Sequence, residues 1–345
     1  MSRRLPVYVV LDCSESMIGP GIEGARLAVD TMLRELRRNP HALETVWLSF
    51  ITFDGEARQL APLRALDEVQ APTLQVRPGT AFGAALRLTA ERIRNEVRRT
   101  TATEKGDYRP LVFLITDGQA TDEWKSALAQ LDTRSVTRPA NLYAIGCGDD
   151  VDFGQLGKVT DIVLRMDSIS TDSFAKLFVW LTASVHSASK GVGADSPEAL
   201  LADLPPEVKK IDLRKTPAHD GRARQLFLRL QCQRGRGSYL MRYRLNEDSE
   251  LYEAIGTHPL SAETGAGGAG GKEFRLPAVD SKLLVGVAPC PHCSNDSAAR
   301  CGSCGALFCV SASNAQQELT CPGCKANISP SGESGGSFRI EQSAG

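Results

Sequence analysis

The stretch PVYVVLDCSES at residues 6–16 decides the fold of this chain. After the proline, five consecutive apolar residues, three of them valine, are typical of a strand buried on both faces of a parallel sheet. The run ends in an aspartate and two serines, at the point where a parallel strand presents polar side chains to a ligand. We therefore predict an α/β fold whose binding crevice lies where this strand ends.

The same alternation of strands and amphipathic helices continues to about residue 187. The predicted strands, nearly all apolar, are Pro6–Leu11, Thr45–Phe53, Pro110–Thr116, Leu142–Gly146 and Ile162–Met166. The predicted helices between them are Glu23–Arg38, Ala81–Arg99, Glu123–Ser135 and Thr171–Ser187. This βαβ order predicts a doubly wound sheet with helices on both faces.

Length and charge limit the possible classes of function. A chain of 345 residues exceeds what one hydrophobic core usually organises, so two or three domains are expected. Lys and Arg total 40 against 41 for Asp and Glu, which leaves no positive excess to attract nucleic acid or an anionic membrane surface. No stretch approaches the roughly 18 apolar residues of a spanning helix, and the N-terminus lacks a signal-peptide cleavage site. These features predict a cytoplasmic protein with protein or small-ligand partners, without nucleic-acid binding or membrane insertion.

Changes in composition along the chain predict five segments. They are an α/β domain at 1–190, a linker at 191–207, a β-rich segment at 208–288, a cysteine-rich domain at 289–328 and a disordered tail at 329–345.

The β-rich segment contains a predicted hairpin. Arg224–Cys232 and Tyr239–Leu245 alternate between apolar and polar residues, and the connecting QRGRGS is typical of a turn. The glycine run at Gly265–Gly271 is expected to be a surface loop or a second linker.

Three hydroxyls and two carboxylates stand where the predicted strands end and a helix begins. Asp12, Ser14 and Ser16 form a D-x-S-x-S pattern after the first strand. Thr80 follows a Pro-Gly turn before a helix, and Asp117 directly follows the strand ending at Thr116. Oxygen ligands of this kind suit a hard cation in an octahedral shell, so we predict a Mg²⁺ site with one position open to an external carboxylate or phosphate.

Neighbouring residues receive structural roles in this interpretation. Asp54 also ends a strand and is expected to be a turn residue. Glu15 and Asp122 are expected to be solvated acids that shape the field of the site. Cys13 alternates away from the ligands and is expected to enter the core.

Seven of the ten cysteines are clustered near the C-terminus, whereas Cys13, Cys147 and Cys232 are isolated. Three C-x-x-C pairs plus one further thiol, in a chain without a secretion signal, favour a closed tetrahedral Zn²⁺ shell over disulfides. The predicted zinc ligands are Cys290, Cys293, Cys301, Cys304, Cys309, Cys321 and Cys324.

The pairing of these thiols stays open between one zinc ion and two. Cys301, Cys304, Cys321 and Cys324 flank two short segments, Ala306–Val310 and Glu318–Thr320, that are predicted to form the hairpin of a zinc ribbon. Cys290, Cys293 and Cys309 then remain for a second ion, completed by His292 or by a more distant histidine such as His258. We expect His292 to face solvent, because its place inside a C-x-x-C turn makes the same metal awkward to reach.

Residues 6 to about 187 resemble a von Willebrand factor A (VWA) domain. Asp12, Ser14, Ser16, Thr80 and Asp117 match its metal-ion-dependent adhesion site (MIDAS) one for one. The resemblance implies a Rossmann-like fold whose metal is completed by an acidic side chain of a partner protein, and it does not imply catalysis.

A VWA domain followed by this cysteine pattern resembles the TerY-type tellurite-resistance proteins, which end in a TerY-C zinc-binding domain. The resemblance covers most of the chain, and the β-rich segment is its least diagnostic part. It implies a bacterial stress response in which the protein acts with a serine/threonine kinase and a PP2C-type phosphatase.

Other classes of function fit the sequence less well. An enzyme is disfavoured because the chain lacks H-E-x-x-H, a nucleophile elbow, a P-loop and G-x-G-x-x-G after a strand. A RING-type ubiquitin ligase needs eight interleaved ligands, usually with a histidine after the third cysteine, and the spacing here departs from that. A third alternative is an adaptor subunit whose VWA domain docks on an AAA+ ATPase of the chelatase type. The sequence therefore favours a non-enzymatic, metal-dependent scaffold for protein signalling.

Overall fold

A computed structural model describes the chain, and it divides into two compact units, residues 1–221 and 222–345. The described residues are 3–131, 139–148, 151–190, 201–213, 223–246, 248–260, 278–311, 319–328 and 337–342.

The first unit contains a seven-stranded sheet in the order β3-β2-β1-β4-β5-β6-β7. Its strands are β1 (Leu5–Asp12), β2 (Val46–Phe53), β3 (Ala57–Ala65), β4 (Leu111–Thr116), β5 (Asn141–Cys147), β6 (Val163–Met166) and β7 (Val208–Lys210). The five central strands run parallel, and β3 and β7 pair antiparallel at the two edges. Its helices are α1 (Pro20–Arg37), α2 (Pro40–Thr45), α3 (Phe82–Glu96), α4 (Lys125–Leu131), α5 (Phe153–Val159) and α6 (Thr171–Lys190).

Separate apolar cores cover the two faces of this sheet. Alternate residues of β1 enter different cores, so Val7 and Val9 pack on one face while Tyr8 and Val10 pack on the other. Every residue of β1 is buried, which explains why its sequence is an unbroken apolar run. The predicted doubly wound α/β architecture is confirmed.

The order of the strands places a crevice beside β1. The chain moves from β1 to β2 and β3 on one side, then returns to the other side of β1 with β4. Connections that leave in opposite directions open a crevice at the carboxyl ends of the two central strands, where ligands bind in such sheets. Asp12 ends β1, and Asp117 directly follows β4, so both carboxylates stand at this crevice.

The predicted strands and long helices of the first unit are present with small shifts at their ends, and Ser135 lies outside the described residues. The sequence prediction missed α2, α5, β3 and β7. Helices of six and seven residues span too few turns to show a clear helical period. β3 is an edge strand, and its mixture of polar and apolar residues follows from its partial exposure.

The predicted linker and the start of the β-rich segment differ from the structure. The indole Nε1 of Trp180 donates to the carbonyl of Ala202 at 3.1 Å, and the amide of Ala202 donates to Ser184 Oγ at 3.1 Å. Residues 201–213 therefore belong to the first unit, which β7 completes as an edge strand. Residues 191–200 lie outside the described residues.

The second unit contains a six-stranded sheet in the order β12-β10-β9-β8-β14-β13 and two ribbons of two strands each. The sheet comprises β8 (Gln225–Gln231), β9 (Ser238–Asn246), β10 (Leu251–Pro259), β12 (Leu284–Val285), β13 (Ser297–Arg300) and β14 (Leu307–Val310). The ribbons pair β11 (Val279–Asp280) with β17 (Arg339–Ile340), and β15 (Leu319–Thr320) with β16 (Asn327–Ile328). The predicted hairpin is present as β8 and β9.

Three expectations for this part of the chain differ from the structure. The boundary expected between residues 288 and 289 is absent, because β14 pairs with β8 and joins both segments in one sheet. The ribbon hairpin between Ala306–Val310 and Glu318–Thr320 was wrong, since β14 pairs with β13 and β15 pairs with β16. Part of the tail expected to be disordered forms β17, where Ile340 is buried. Gly265–Gly271 lies outside the described residues.

Among the described residues, no helix combines the length and the apolar character needed to cross a membrane.

Candidate metal centres

The structure brings the five predicted Mg²⁺ ligands together at the crevice. Asp12 ends β1, and Ser14 and Ser16 lie in the turn that follows it. Asp117 follows β4, and Thr80 stands two residues before α3. All five side chains are buried, with 7% exposure or less.

Direct hydrogen bonds join the ligands from the first and fourth strands. The hydroxyls of Ser14 and Ser16 lie 2.9 Å apart, and Ser16 Oγ donates to Asp117 Oδ1 at 2.7 Å. Asp12 Oδ1 accepts the amide of Ser14 at 3.0 Å, and its Oδ2 accepts the hydroxyl of Thr116 at 2.5 Å. These bonds hold the carboxylates and hydroxyls in one orientation, with their oxygens turned towards each other.

The Thr80 loop is tied to the loop that follows β4. The amide of Thr80 donates to Thr121 Oγ1 at 2.9 Å, and the amide of Thr121 donates to the carbonyl of Thr80 at 2.9 Å. Asp122 accepts the amides of Gly83 and Ala84 at 2.7 and 2.9 Å, which caps the start of α3. Asp122 is thus a structural acid that ties two ligand loops, and its side chain is only partly solvated, with 23% exposure.

Glu15 is also structural, because its side chain is fully buried. Its Oε2 accepts the amide of Gly79 at 2.9 Å. Gly79 has a φ of 97°, a conformation that side chains other than hydrogen rarely tolerate, so the Pro-Gly turn before Thr80 needs this glycine. Glu15 therefore anchors the Thr80 loop against the D-x-S-x-S turn, and the expectation of a solvated acid was wrong.

Asp54 and Cys13 have the roles that the sequence indicated. Asp54 accepts the amide of Glu56 at 3.0 Å and pairs with Arg58 at 2.6 Å, and its carbonyl accepts the amide of Ala81. It is a turn residue that supports the Thr80 loop. Cys13 is buried in the core, and burial raises the pKa of its thiol well above the usual value, which leaves it unreactive.

The residues present fit a hard divalent cation. Burial raises the pKa of Asp12 to about 6, because its carboxylate has lost the water that would stabilise its negative charge. A bound cation would stabilise this charge instead. The donor set of two carboxylates and three hydroxyls is the chemistry that Mg²⁺ prefers. A Cβ added at Gly118 would lie 3.6 Å from Thr80 Oγ1 and 3.8 Å from Ser16 Oγ, so the glycine leaves room directly beside the ligand oxygens.

Eight cysteines of the second unit form two clusters of four. The inner cluster comprises Cys232, Cys290, Cys293 and Cys309, and the outer cluster comprises Cys301, Cys304, Cys321 and Cys324. Within each cluster the sulfurs lie within 4.8 Å of one another. All of these cysteines are free thiols.

The sulfur separations fit zinc rather than disulfides. Cys293 and Cys309 are 3.5 Å apart, and the pairs Cys301–Cys324 and Cys304–Cys321 are each 3.7 Å apart. A tetrahedral zinc site with Zn–S bonds of about 2.3 Å separates its sulfurs by about 3.8 Å, whereas a disulfide bond is about 2.05 Å long. Four thiolates would close the tetrahedral shell of an ion in each cluster, and such a shell leaves no position for water.

Each C-x-x-C pair forms the same tight turn. The residue after the second cysteine donates its amide to the carbonyl of the first and has a positive φ, of 61° at Ser294, 78° at Gly305 and 63° at Lys325. Such turns direct further amides at the sulfurs. The amide of Cys304 lowers the pKa of Cys301 to about 6, which favours the thiolate that binds metal.

The fourth inner ligand, Cys232, was missed by the sequence prediction, which offered His292 or His258 instead. Cys232 directly follows β8, and the hairpin turn after it places its thiol beside the other three. His292 Nε2 lies 3.2 Å from the carbonyl of Ser238 instead of facing a cluster. A count of the ligands could have found Cys232, because two tetrahedral sites need eight ligands and only seven thiols are clustered in the sequence.

No curated protein matches this chain. Solved structures that resemble it include a von Willebrand factor type A protein from Catenulispora acidiphila (19% identity, 54% of this chain, 43% of the other, TM-score 0.40). Another is the ArnB paralog VWA2 from Sulfolobus acidocaldarius (17% identity, 53% and 45%, TM-score 0.38). A third is proximal thread matrix protein 1 from the mussel byssus with a zinc-occupied MIDAS motif (20% identity, 52% and 45%, TM-score 0.37). The similar region spans less than half of each of these chains.

Two family models match the chain in the places that the two units occupy. The model of the von Willebrand factor type A domain matches residues 7–173, which include all five ligands at the crevice. The model of the TerY-C metal binding domain matches residues 223–345, which include both cysteine clusters. The chain therefore combines a VWA domain with a TerY-C metal binding domain.

Proposed function

We propose that this chain is a non-enzymatic scaffold that binds a partner protein through Mg²⁺ at Asp12, Ser14, Ser16, Thr80 and Asp117. A carboxylate or phosphorylated side chain of the partner completes the shell of the ion. The observation that supports this most directly is the space beside Gly118, next to the hydroxyls of Thr80 and Ser16. Because three of the five ligands are neutral, the ion keeps positive charge with which to attract an anionic group.

The neighbouring acids support binding over catalysis. A general base must reach the proton that it removes, and Glu15 and Asp122 both accept backbone amides that hold the ligand loops. Asp54 is paired with Arg58. These acids hold the loops of the site in place. We therefore propose no hydrolytic role for the ion.

The second unit supports a signalling context for this binding. A VWA domain combined with a TerY-C domain fits a bacterial stress response of the tellurite-resistance type, in the cytoplasm. We propose a serine/threonine kinase and a PP2C-type phosphatase as the partners. In this proposal zinc in the two clusters folds the second unit and takes no part in chemistry.

The test is an affinity capture from a bacterial lysate, with bound proteins identified by mass spectrometry. The wild type is compared with Asp12→Ala, and with Asp30→Ala as a matched control at an exposed position of α1. Each is measured with Mg²⁺ and in Mg²⁺-free buffer without chelator, because a chelator would also remove zinc. We expect a kinase or phosphatase to be captured by the wild type and by Asp30→Ala in Mg²⁺ only, and to be lost with Asp12→Ala.

A second variant tests the open position itself. Gly118→Val places a branched side chain beside Thr80 Oγ1 and Ser16 Oγ, and we expect capture to fall as far as in Asp12→Ala. Capture that survives both substitutions would show that the Mg²⁺ site is not the binding surface. Capture of an AAA+ ATPase in place of a kinase or phosphatase would select the adaptor alternative instead.

A further inference from the structure

The two cysteine clusters differ in their access to solvent. Three members of the inner cluster are buried and Cys293 is partly buried. In the outer cluster Cys304 and Cys324 are exposed, while Cys301 and Cys321 are buried. A reagent in solution can therefore reach two adjacent corners of the outer tetrahedron.

Besides the turn amides that all three C-x-x-C pairs have, two further hydrogen-bond donors reach the inner cluster. The backbone amide of Gln233 donates to Cys309 Sγ at 3.4 Å, and Asn295 Nδ2 donates to the same sulfur at 3.5 Å. Tyr239 is fully buried beside the cluster. Donors to the sulfurs neutralise thiolate charge and make a metal harder to remove.

The packing around the two clusters also protects the inner cluster more than the outer cluster. The buried core that includes the inner cluster extends along β8 and β9 and contains twelve residues. The outer cluster lies in a core of four buried residues, which are Cys301, Phe308, Leu319 and Cys321. Two of its cysteines, Cys321 and Cys324, lie between β15 and β16, strands of two residues each. Opening this ribbon exposes little apolar surface, so it costs less than opening the inner cluster.

We propose that the outer cluster is the exchangeable metal site of this protein, and that thiophilic divalent cations enter there first, through Cys304 and Cys324. In the exchange, one Cd²⁺ replaces one Zn²⁺ and all four thiolates are retained, so charge balances and no sulfur is oxidised. Thiolates are soft ligands, so they bind a cation softer than Zn²⁺ more strongly than they bind Zn²⁺ itself. The inner cluster releases its zinc more slowly during the same exposure. The inference depends on zinc in both clusters and is independent of the Mg²⁺ site.

The first experiment follows zinc release from the full chain after its zinc content has been measured. Cd²⁺ is added in excess, and released Zn²⁺ is recorded with a chromophoric chelator. We expect two zinc ions per chain that leave in two phases of equal amplitude, the first at least about tenfold faster. A chain that holds a single zinc, or two that leave in one phase, would overturn the proposal.

A second measurement assigns the phases on the wild-type protein. The zinc-loaded chain is treated briefly with N-ethylmaleimide, and the modified cysteines are mapped by mass spectrometry. We expect modification at Cys304 and Cys324 before any cysteine of the inner cluster. Earlier modification of Cys232, Cys290, Cys293 or Cys309 would refute the assignment.

A matched pair of asparagine substitutions tests the role of the side-chain donor to the inner cluster. Asn295→Ala removes the side-chain donor to Cys309 and should speed the slow phase by about tenfold while leaving the fast phase unchanged. Asn327→Ala, in exposed β16, should leave the slow phase unchanged. If both substitutions accelerated the slow phase equally, the assignment of the slow phase to the inner cluster would be contradicted.

Discussion

The two units of this molecule build their candidate metal sites in different ways. In the first unit the crevice is bordered by a seven-stranded sheet with a large apolar core on each face, and the ligands already hydrogen-bond to one another. In the second unit cysteines are themselves a large part of the buried residues, including two of the four in the smaller core. The comparison teaches that the fold of the first unit positions its candidate metal ligands, whereas in our proposal metal bound by the cysteines holds the second unit together.

The two kinds of site also differ in what they leave open. Four thiolates in each cluster would close the shell of a metal ion, whereas the hydroxyls and carboxylates beside Gly118 leave a position for a partner in our proposal. The proposal thereby assigns stability and recognition to different ions.

Removal of zinc should have the largest effect. With the zinc-selective chelator TPEN, we expect residues 223–342 to become sensitive to protease while residues 3–190 stay protected, because structural zinc contributes about 10–16 kcal/mol in small domains. Limited proteolysis with mass spectrometry measures this. Transfer to Mg²⁺-free buffer without chelator is the control and should leave both units resistant. Survival of the second unit without zinc would break the comparison.

Loss of one inner ligand should have the next largest effect. Cys232→Ser should lower the zinc content from two ions per chain to one and destabilise the hairpin of β8 and β9, since a serine hydroxyl is a poor zinc ligand. Cys147→Ser is the matched control, because Cys147 is equally buried but belongs to the sheet of the first unit. Metal analysis by mass spectrometry measures both. An unchanged zinc content in Cys232→Ser would remove Cys232 from the inner cluster.

Loss of a Mg²⁺ ligand should have a smaller effect on stability. In Mg²⁺-free buffer we expect Asp12→Ala to unfold within a few degrees of the wild type, because a buried carboxylate with a raised pKa contributes little without a cation. Saturating Mg²⁺ should stabilise the wild type by about 2–3 kcal/mol at a hundredfold excess over the Kd and should not stabilise the variant. Thermal unfolding with and without Mg²⁺ tests this, and an equal Mg²⁺ effect in both proteins would contradict it.

The smallest effect is expected at Glu15. Glu15→Ala removes the acceptor of the Gly79 amide and loosens the Thr80 loop, so we expect Mg²⁺ affinity to fall by about tenfold, or about 1.4 kcal/mol. Glu15→Gln keeps an oxygen acceptor and should retain most of the affinity. Calorimetric titration with Mg²⁺ measures both. Equal losses in the two variants would show that charge, and not the hydrogen bond, is the contribution of Glu15.

Local sequence patterns determined the features that depend on a few neighbouring residues. The apolar run before Asp12 specified a strand buried on both faces, because only such a strand has no need of polar residues. The five predicted Mg²⁺ ligands could be proposed from sequence because each stands at the end of a strand or the start of a helix. The three C-x-x-C pairs were found because both cysteines of a pair lie in one turn.

Only the tertiary structure decided the features that join distant parts of the chain. Cys232 follows a strand far from the other thiols, and the pairing of β8 with β14 brings it to the inner cluster. Glu15 looks solvated in sequence, yet the fold buries it against Gly79. Strands β3 and β7 are edge strands whose pairing is set by the sheet rather than by their own residues. The physical reason is that local patterns record backbone preference and burial, whereas ligand sets and strand partners depend on which surfaces pack together.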